Sequence, residues 1–140
     1  MYRILVPVDH SEERALEQAA YVTGLPLEGE VAVSLLFVFG PETRVNLPDE
    51  LKPFKSADRV ASVQAAAEHL AAAGIDATIL EDSGDAATDI LDAATDEDVD
   101  EIVMGSHKRG PLAEAIFGSV GERVINNTAL PVTVVGEPTG

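Results

Sequence analysis

The chain has 140 residues, which suits one domain, predicted to span residues 1–140. It carries 25 acidic and 9 basic residues, a formal net charge of −16, and no cysteine. A field of that sign repels nucleic acids and anionic membranes, and the lack of thiols excludes disulfides and cysteine-ligated metals. No apolar run approaches the ~20 residues of a membrane span. We expect no signal peptide and predict a cytoplasmic protein.

The acidic residues are spread along the whole chain and do not form a tail. Their mutual repulsion destabilises a compact fold unless salt screens it. At molar salt the Debye length falls to about 3 Å, so the repulsion there is weak. We therefore expect a salt-rich cytoplasm, as in a halophile; the alternative is an ordinary acidic protein.

The first elements in chain order are a strand and a helix. Residues 2–8 form a short apolar run with β-branched members, which is typical of a buried strand. A helical pattern follows, which either Asp9 or Ser11 can cap and which Gly24 ends.

The middle of the chain continues the alternation of strands and helices. Residues 31–39 predict a second strand, and the proline-containing stretch 40–54 predicts a long loop. An alanine-rich helix is predicted from about 56 to 73, a strand at 75–80, and a further helix from 85 to about 95.

The last third begins with a short buried strand at 101–104 and a segment flanked by glycines. A helix from about 119 to 128 and a final strand at 131–135 complete the pattern. Strands that are apolar on both faces and alternate with helices predict an α/β fold, a doubly wound, Rossmann-like parallel sheet of five strands with helices on both faces. Ligands of such sheets bind beyond the carboxyl ends of the strands, where Asp9, Val38 and Gly105 are expected to converge.

Residues 118–122, GSVGE, allow two interpretations. Gly118 and Ser119 at a helix start could bind phosphate through free N–H groups, the positive helix end and a hydroxyl. The same residues, Ser119 and Glu122, also fit a capping box, which satisfies the helix end without a ligand.

The other candidate residues are similarly ambiguous from local chemistry. Gly105 could admit a phosphate or supply a tight turn, and Asp9 could bind ribose or adenine or cap a helix. Residues 107–109, HKR, are the densest positive cluster, which fits either an anionic ligand or a solvated loop. The three histidines lack metal-ligand spacing, and neither a nucleophilic triad nor a Walker-type phosphate loop is present.

Four motifs in this order resemble the universal stress protein family: ILVPVD, then GSH, then GSVGERVI, then LPVTVV. The resemblance covers essentially the whole chain. It implies five parallel strands, commonly a homodimer, and in part of the family an ATP site with the motif Gly, two residues, Gly, nine residues, Gly, Ser or Thr. Gly105, Gly118 and Ser119 fill three of its four positions, and Lys108 stands at the second. The resemblance also assigns Asp9 to the adenosine, and assigns the remaining nucleotide contacts to Pro7, Val38, Met104 and Val120.

Two functions remain open at this point. The first is a stress-response regulatory protein that binds ATP, with or without Mg²⁺, and turns it over slowly at most. In this reading Lys108 either serves as a phosphate partner or is tolerated. The second is a homodimeric interaction module, paired through the last strand (131–135), in which Lys108 has closed the phosphate site. An adenylating enzyme of the same superfold would need catalytic parts for which 140 residues leave little room.

Overall fold

The computed structural model describes residues 1–26, 29–38, 57–105 and 118–135. In this part of the chain five strands form one parallel sheet, with the order β3-β2-β1-β4-β5. The chain winds outward from β1 to β3, then crosses to β4 on the other side of β1. The predicted doubly wound α/β sheet is therefore confirmed. Its strands are β1 (Tyr2–Pro7), β2 (Val31–Val38), β3 (Thr78–Asp82), β4 (Glu101–Gly105) and β5 (Val132–Val135).

Within the described residues, four α-helices cover the two faces of this sheet. Helices α1 and α2 pack together on one face, and α3 and α4 pack together on the other. A single 3₁₀ turn (Ala57–Arg59) precedes α2, with extended Val60 between them, where the sequence predicted one continuous helix. The helices are α1 (Glu12–Thr23), α2 (Ala61–Ala72), α3 (Ala86–Asp96) and α4 (Gly118–Asn127).

Both faces of the sheet are apolar because both are covered. Successive side chains of a strand point to opposite faces. Accordingly Ile4 and Val6 lie in the core under α1 and α2, while Leu5, between them, lies in the core under α3 and α4. This is why the strands appear in the sequence as continuous apolar runs and not as alternating patterns.

Side-chain caps fix the starts of α1 and α3. The Ser11 side chain accepts a hydrogen bond from the Arg14 N–H at 3.2 Å, so Ser11, not Asp9, is the N-cap of α1. Asp85 caps α3 in the same way, accepting from the Thr88 N–H at 3.1 Å. The open choice between Asp9 and Ser11 is thereby settled, and the Asp9 side chain has a different role.

The third strand begins later than the sequence indicated, at Thr78 and not at residue 75. Helix α2 ends in a Schellman motif: the Gly74 N–H donates to Ala71 O, and the Ile75 N–H donates to Leu70 O, both at 2.9 Å. Gly74 has a φ of 82°, which glycine adopts without strain. Because Ile75 closes the helix and packs on its core, the strand starts only after it.

A buried carboxylate ties several elements together at the first residue of β4. Glu101 is only 5% exposed. Three hydroxyl groups donate to it: Tyr2 of β1 at 2.7 Å, Tyr21 of α1 at 3.3 Å and Thr133 of β5 at 2.6 Å. The hydrogen bond to Glu101, with burial in second place, raises the pKa of Tyr2 to about 12. The network joins one helix to three strands at the opposite end of β4 from Gly105.

Candidate functional site

The ladder between the two central strands ends before their carboxyl ends, where Pro7 has no N–H to continue it. Strands β1 and β4 are in register at Ile4–Glu101 and Leu5–Ile102. Further on, β1 stays paired with β2 as far as Pro7, and β4 stays paired with β5 as far as Gly105. This is the point where the winding direction reverses, and in open α/β sheets it is where ligands bind. The predicted site position lies at this switch point, and the space beyond the end of the β1–β4 ladder is called the crevice below.

Gln18 of α1 fills the base of this crevice. Its side-chain Nε2 donates to the Pro7 carbonyl at 2.7 Å and to the Val103 carbonyl at 3.0 Å. The residue is 1% exposed. One amide group therefore donates to a backbone carbonyl on each of the two central strands.

Gly105, the last residue of β4, lies directly against α1. A Cβ atom there would stand 3.2 Å from Gln18 Oε1 and 3.5 Å from Arg14 Cβ. Its φ is outside the left-handed region, so the backbone conformation does not itself require glycine. Close packing against the helix is thus a reason for glycine at this position that the sequence alone did not indicate.

Asp9 lies two residues beyond β1, on the other side of the crevice. Its Oδ1 accepts the Ser11 N–H at 2.9 Å, and its Oδ2 accepts Arg14 Nε at 2.9 Å and a second Arg14 nitrogen at 2.7 Å. The side chains are 34% and 12% exposed for Asp9 and Arg14. The Ser62 hydroxyl of α2 donates to the Asp9 backbone carbonyl. The carboxylate is held in one orientation, beside a largely buried positive charge.

Three of the predicted apolar contacts belong to one cluster on the opposite face of the sheet from α1. Met104 of β4 is 8% exposed and forms part of the core under α3 and α4. Val38, the last residue of β2, and Val120 of α4 pack against the same core. Pro7 is the last residue of β1, next to the crevice.

The remaining predicted site residues lie at or before the start of α4. The helix begins at Gly118, so Ser119 is its second residue. The capping-box interpretation starts the helix after Ser119, two residues later than this boundary, and it stays a prediction. Lys108, with its neighbours His107 and Arg109, lies outside the described residues, as does the predicted loop at 40–54.

The sequence interpretation missed Arg14, Gln18 and Ser62. For Gln18 a signal was present: it occupies the buried stripe of α1 with Ala15, Ala19 and Val22. A glutamine on an otherwise apolar helical face must find hydrogen-bond partners inside the protein. The identity of those partners was not accessible, because Val103 is 85 residues away.

The described residues contain no group of three or more His, Cys, Asp or Glu that could hold a metal ion. Over the same residues, no helix has both the length and the apolar character needed to cross a bilayer.

Comparison with known proteins identifies the family of this chain. The profile of the Universal stress protein family matches residues 1–136. The chain belongs to the universal stress protein family. It is 31% identical to universal stress protein MJ0531 of Methanocaldococcus jannaschii over 97% of this chain and 82% of that protein. The resemblance stated from the motifs is confirmed.

Solved structures agree on the fold. The structure of MJ0577 of the same organism is 29% identical, with a TM-score of 0.78 over 99% of this chain and 98% of that one. A universal stress protein from Archaeoglobus fulgidus, solved in complex with dAMP, is 25% identical, with a TM-score of 0.65 over 96% and 98% of the two chains. That relative binds an adenine nucleotide.

Proposed function

We propose that this chain is a stress-response regulatory protein that binds ATP at the carboxyl ends of the strands. The observation that carries the proposal is the crevice between β1 and β4, with Asp9 at one side and Gly105 at the other. The dAMP-bound relative supports the adenine part of the ligand. ATP is the ligand implied by the motif formed by Gly105, Gly118 and Ser119.

Asp9 is the group proposed to hold the adenosine. A carboxylate oriented by a backbone N–H and an arginine is a rigid acceptor for ribose hydroxyls or the adenine amine. Arg14 offsets its charge locally, which matters in a protein with a net charge of −16. Without such compensation, a carboxylate at the crevice would repel a polyphosphate.

The first turn of α4 is the element proposed to bind the phosphates. It is a 10-residue helix, and its first N–H groups and positive dipole end attract anions. In this proposal Lys108 adds a positive point charge. Mg²⁺ would arrive bound to the phosphates of ATP, since Mg²⁺ usually takes few protein ligands at such sites.

We propose no enzymatic activity beyond slow hydrolysis of ATP at most. The cellular setting that we propose is a salt-rich cytoplasm, where the acidic surface is screened.

Calorimetric titration of Mg²⁺-ATP into the protein at molar KCl tests the proposal. We expect the wild type to bind with a micromolar dissociation constant, which corresponds to a binding free energy of about −8 kcal/mol. Ser119→Asp should abolish it by adding a negative charge at the phosphate end. Asn126→Asp, which adds the same charge at an exposed position in the last turn of α4, is the control and should bind normally. Equal affinities in the two variants would contradict the site.

Lys108→Gly, measured alongside, distinguishes the two functions left open by the motif. Weaker binding in this variant would assign the lysine to the phosphates. Absent binding in the wild type, restored by glycine, would mean that the lysine had closed the site, and the interaction module would then become the better proposal.

A homodimer is the second candidate, as an addition or an alternative to nucleotide binding. Strand β5 forms an edge of the described sheet, and all four of its residues remain partly exposed. An edge strand without lysine is suited to pairing with a second copy. Light scattering at molar KCl should give a dimer with and without ATP. Val134→Lys should give a monomer, and Ile125→Lys, on the exposed face of α4, should not; a monomeric wild type would refute the dimer.

A further inference from the structure

We propose that Gln18 is a positioning residue of the nucleotide site. Its amide sets the separation between the end of β1, which carries the adenosine contact, and the end of β4, which carries the phosphate contact. The inference rests on the proposed function and identifies a residue that positions the two parts of its binding site.

The first step is that the strand ladder does not fix this separation. Parallel strands hold each other at about 4.8 Å through their ladder hydrogen bonds. Between β1 and β4 the register pairs are at Ile4 and Leu5, and the functional residues lie beyond them. The ends of the two strands therefore need another connection if their spacing is to be defined.

Gln18 supplies that connection from a single atom. Its Nε2 carries two hydrogens, and both are used, one on the Pro7 carbonyl and one on the Val103 carbonyl. Because both partners are acceptors, the orientation of the amide is unambiguous: the nitrogen faces the strands. A carboxylate in its place has no hydrogen to donate, and a thioether of the same length has none either.

Each bridged carbonyl lies two residues before a proposed nucleotide contact. Pro7 precedes Asp9 on one strand, and Val103 precedes Gly105 on the other. The side chain also touches the Gly105 position, where a Cβ would be 3.2 Å from Gln18 Oε1. Arg14, one turn earlier on α1, orients Asp9. One face of α1 therefore contacts both halves of the site.

The consequence for binding follows from the bivalency of ATP. Its adenosine and its triphosphate are joined by a short covalent link, so the full advantage of joining them is reached only when the separation of the two subsites matches that link. A change in the separation of the two strand ends should leave each subsite intact. It should reduce the affinity for ATP relative to the affinities for adenosine and for tripolyphosphate.

The variant Gln18→Met tests this, with three ligands: ATP, adenosine and inorganic tripolyphosphate, each titrated at molar KCl. Methionine keeps the length of the side chain and removes both hydrogen bonds. Val22→Ala, one turn later on the same buried stripe, is the control for a helix that is destabilised away from the crevice. Thermal unfolding identifies the temperature at which all three proteins are folded.

We expect Gln18→Met to weaken ATP binding by roughly tenfold or more, because small misplacements of bound groups can have effects of that size. Its affinities for adenosine and for tripolyphosphate should stay close to the wild-type values. Val22→Ala should match the wild type with all three ligands. A residue that only stabilises the fold would not change the ratio between the whole ligand and its halves.

Two outcomes would overturn the inference alone. One is wild-type ATP binding that is unchanged in folded Gln18→Met; the other is a loss for adenosine or tripolyphosphate as large as the loss for ATP, which would assign Gln18 to one subsite. Absence of ATP binding in the wild type would overturn the proposed function, and this role with it.

Discussion

Gly105→Ala is the substitution for which the structure gives the most defined expectation. The new methyl group would lie 3.2 Å from Gln18 Oε1 and 3.4 Å from its Cδ, closer than ordinary contacts, so a neighbour must move by a few tenths of an ångström. Gln18 is poorly able to move, because its two hydrogen bonds, at 2.7 and 3.0 Å, hold it to the strands.

The expected magnitude comes from three contributions. Overpacking in a filled core costs about 1–3 kcal/mol. Weakening a buried hydrogen bond costs about 0.5–1.5 kcal/mol, an effect that partly overlaps the first. Replacing glycine stabilises by about 0.4–1 kcal/mol through the unfolded chain, since the φ of Gly105 is compatible with alanine. The net expectation is a decrease of about 1–2 kcal/mol in the free energy of unfolding.

Urea unfolding at molar KCl measures this change, and Gly24→Ala is the matched control. At Gly24 a Cβ would have its nearest neighbour at 3.4 Å and φ is −89°, so the same unfolded-state gain applies without the clash. We expect Gly24→Ala to be neutral or slightly stabilising. If Gly105→Ala proves as stable as Gly24→Ala, the argument for steric contact with α1 is wrong.

A double-mutant cycle isolates the contact itself. In a Gln18→Ala background the new methyl group has room, so Gly105→Ala should cost little there. A coupling free energy near zero would mean that the destabilisation arises elsewhere than at Gln18.

Three further predictions concern charge and protonation. The folded-state pKa of Tyr2 is about 12 against 10.0 for the free side chain, so folding favours the neutral phenol; the stability it contributes is complete below pH 10 and is lost as the pH rises towards 12. Urea unfolding across that range should show a steeper loss in the wild type than in Tyr2→Phe, and parallel curves would contradict the assignment. Arg123→Gln should leave the urea midpoint in molar KCl unchanged, because its ion pair with Asp85 is about half exposed and screened, whereas Asp85→Ala should lower it by removing the cap of α3; equal midpoints for the two variants would count against this. Arg14→Gln should reduce the affinity for ATP more than the affinity for adenosine at low salt, and the difference should shrink as KCl is added. An equal loss of affinity for both ligands at all salt concentrations would show that the charge is irrelevant.

Much of the fold could be predicted from local pattern. The runs at 2–8, 31–39 and 101–104 are too short for helices and mostly apolar, as expected of parallel strands covered on both faces. Where the prediction was inaccurate, at the start of β3, the cause was the Schellman motif around Gly74, in which a residue with strand-like character closes a helix. The spacing of apolar residues does not distinguish a residue that closes a helix from one that begins a strand.

The sequence by itself determined the order of elements and the departure of Lys108 from the nucleotide motif, and it predicted the strand ends at which a ligand would bind. These depend on residue spacing and backbone preference, which are local properties. Only the tertiary structure decided that Gln18 bridges β1 and β4, that Arg14 orients Asp9, and that Gly105 is packed against a helix. The same holds for Glu101, whose hydroxyl partners are 99, 80 and 32 residues away. A buried polar side chain must be satisfied, but which groups satisfy it depends on which distant segments the packing brings within about 3 Å.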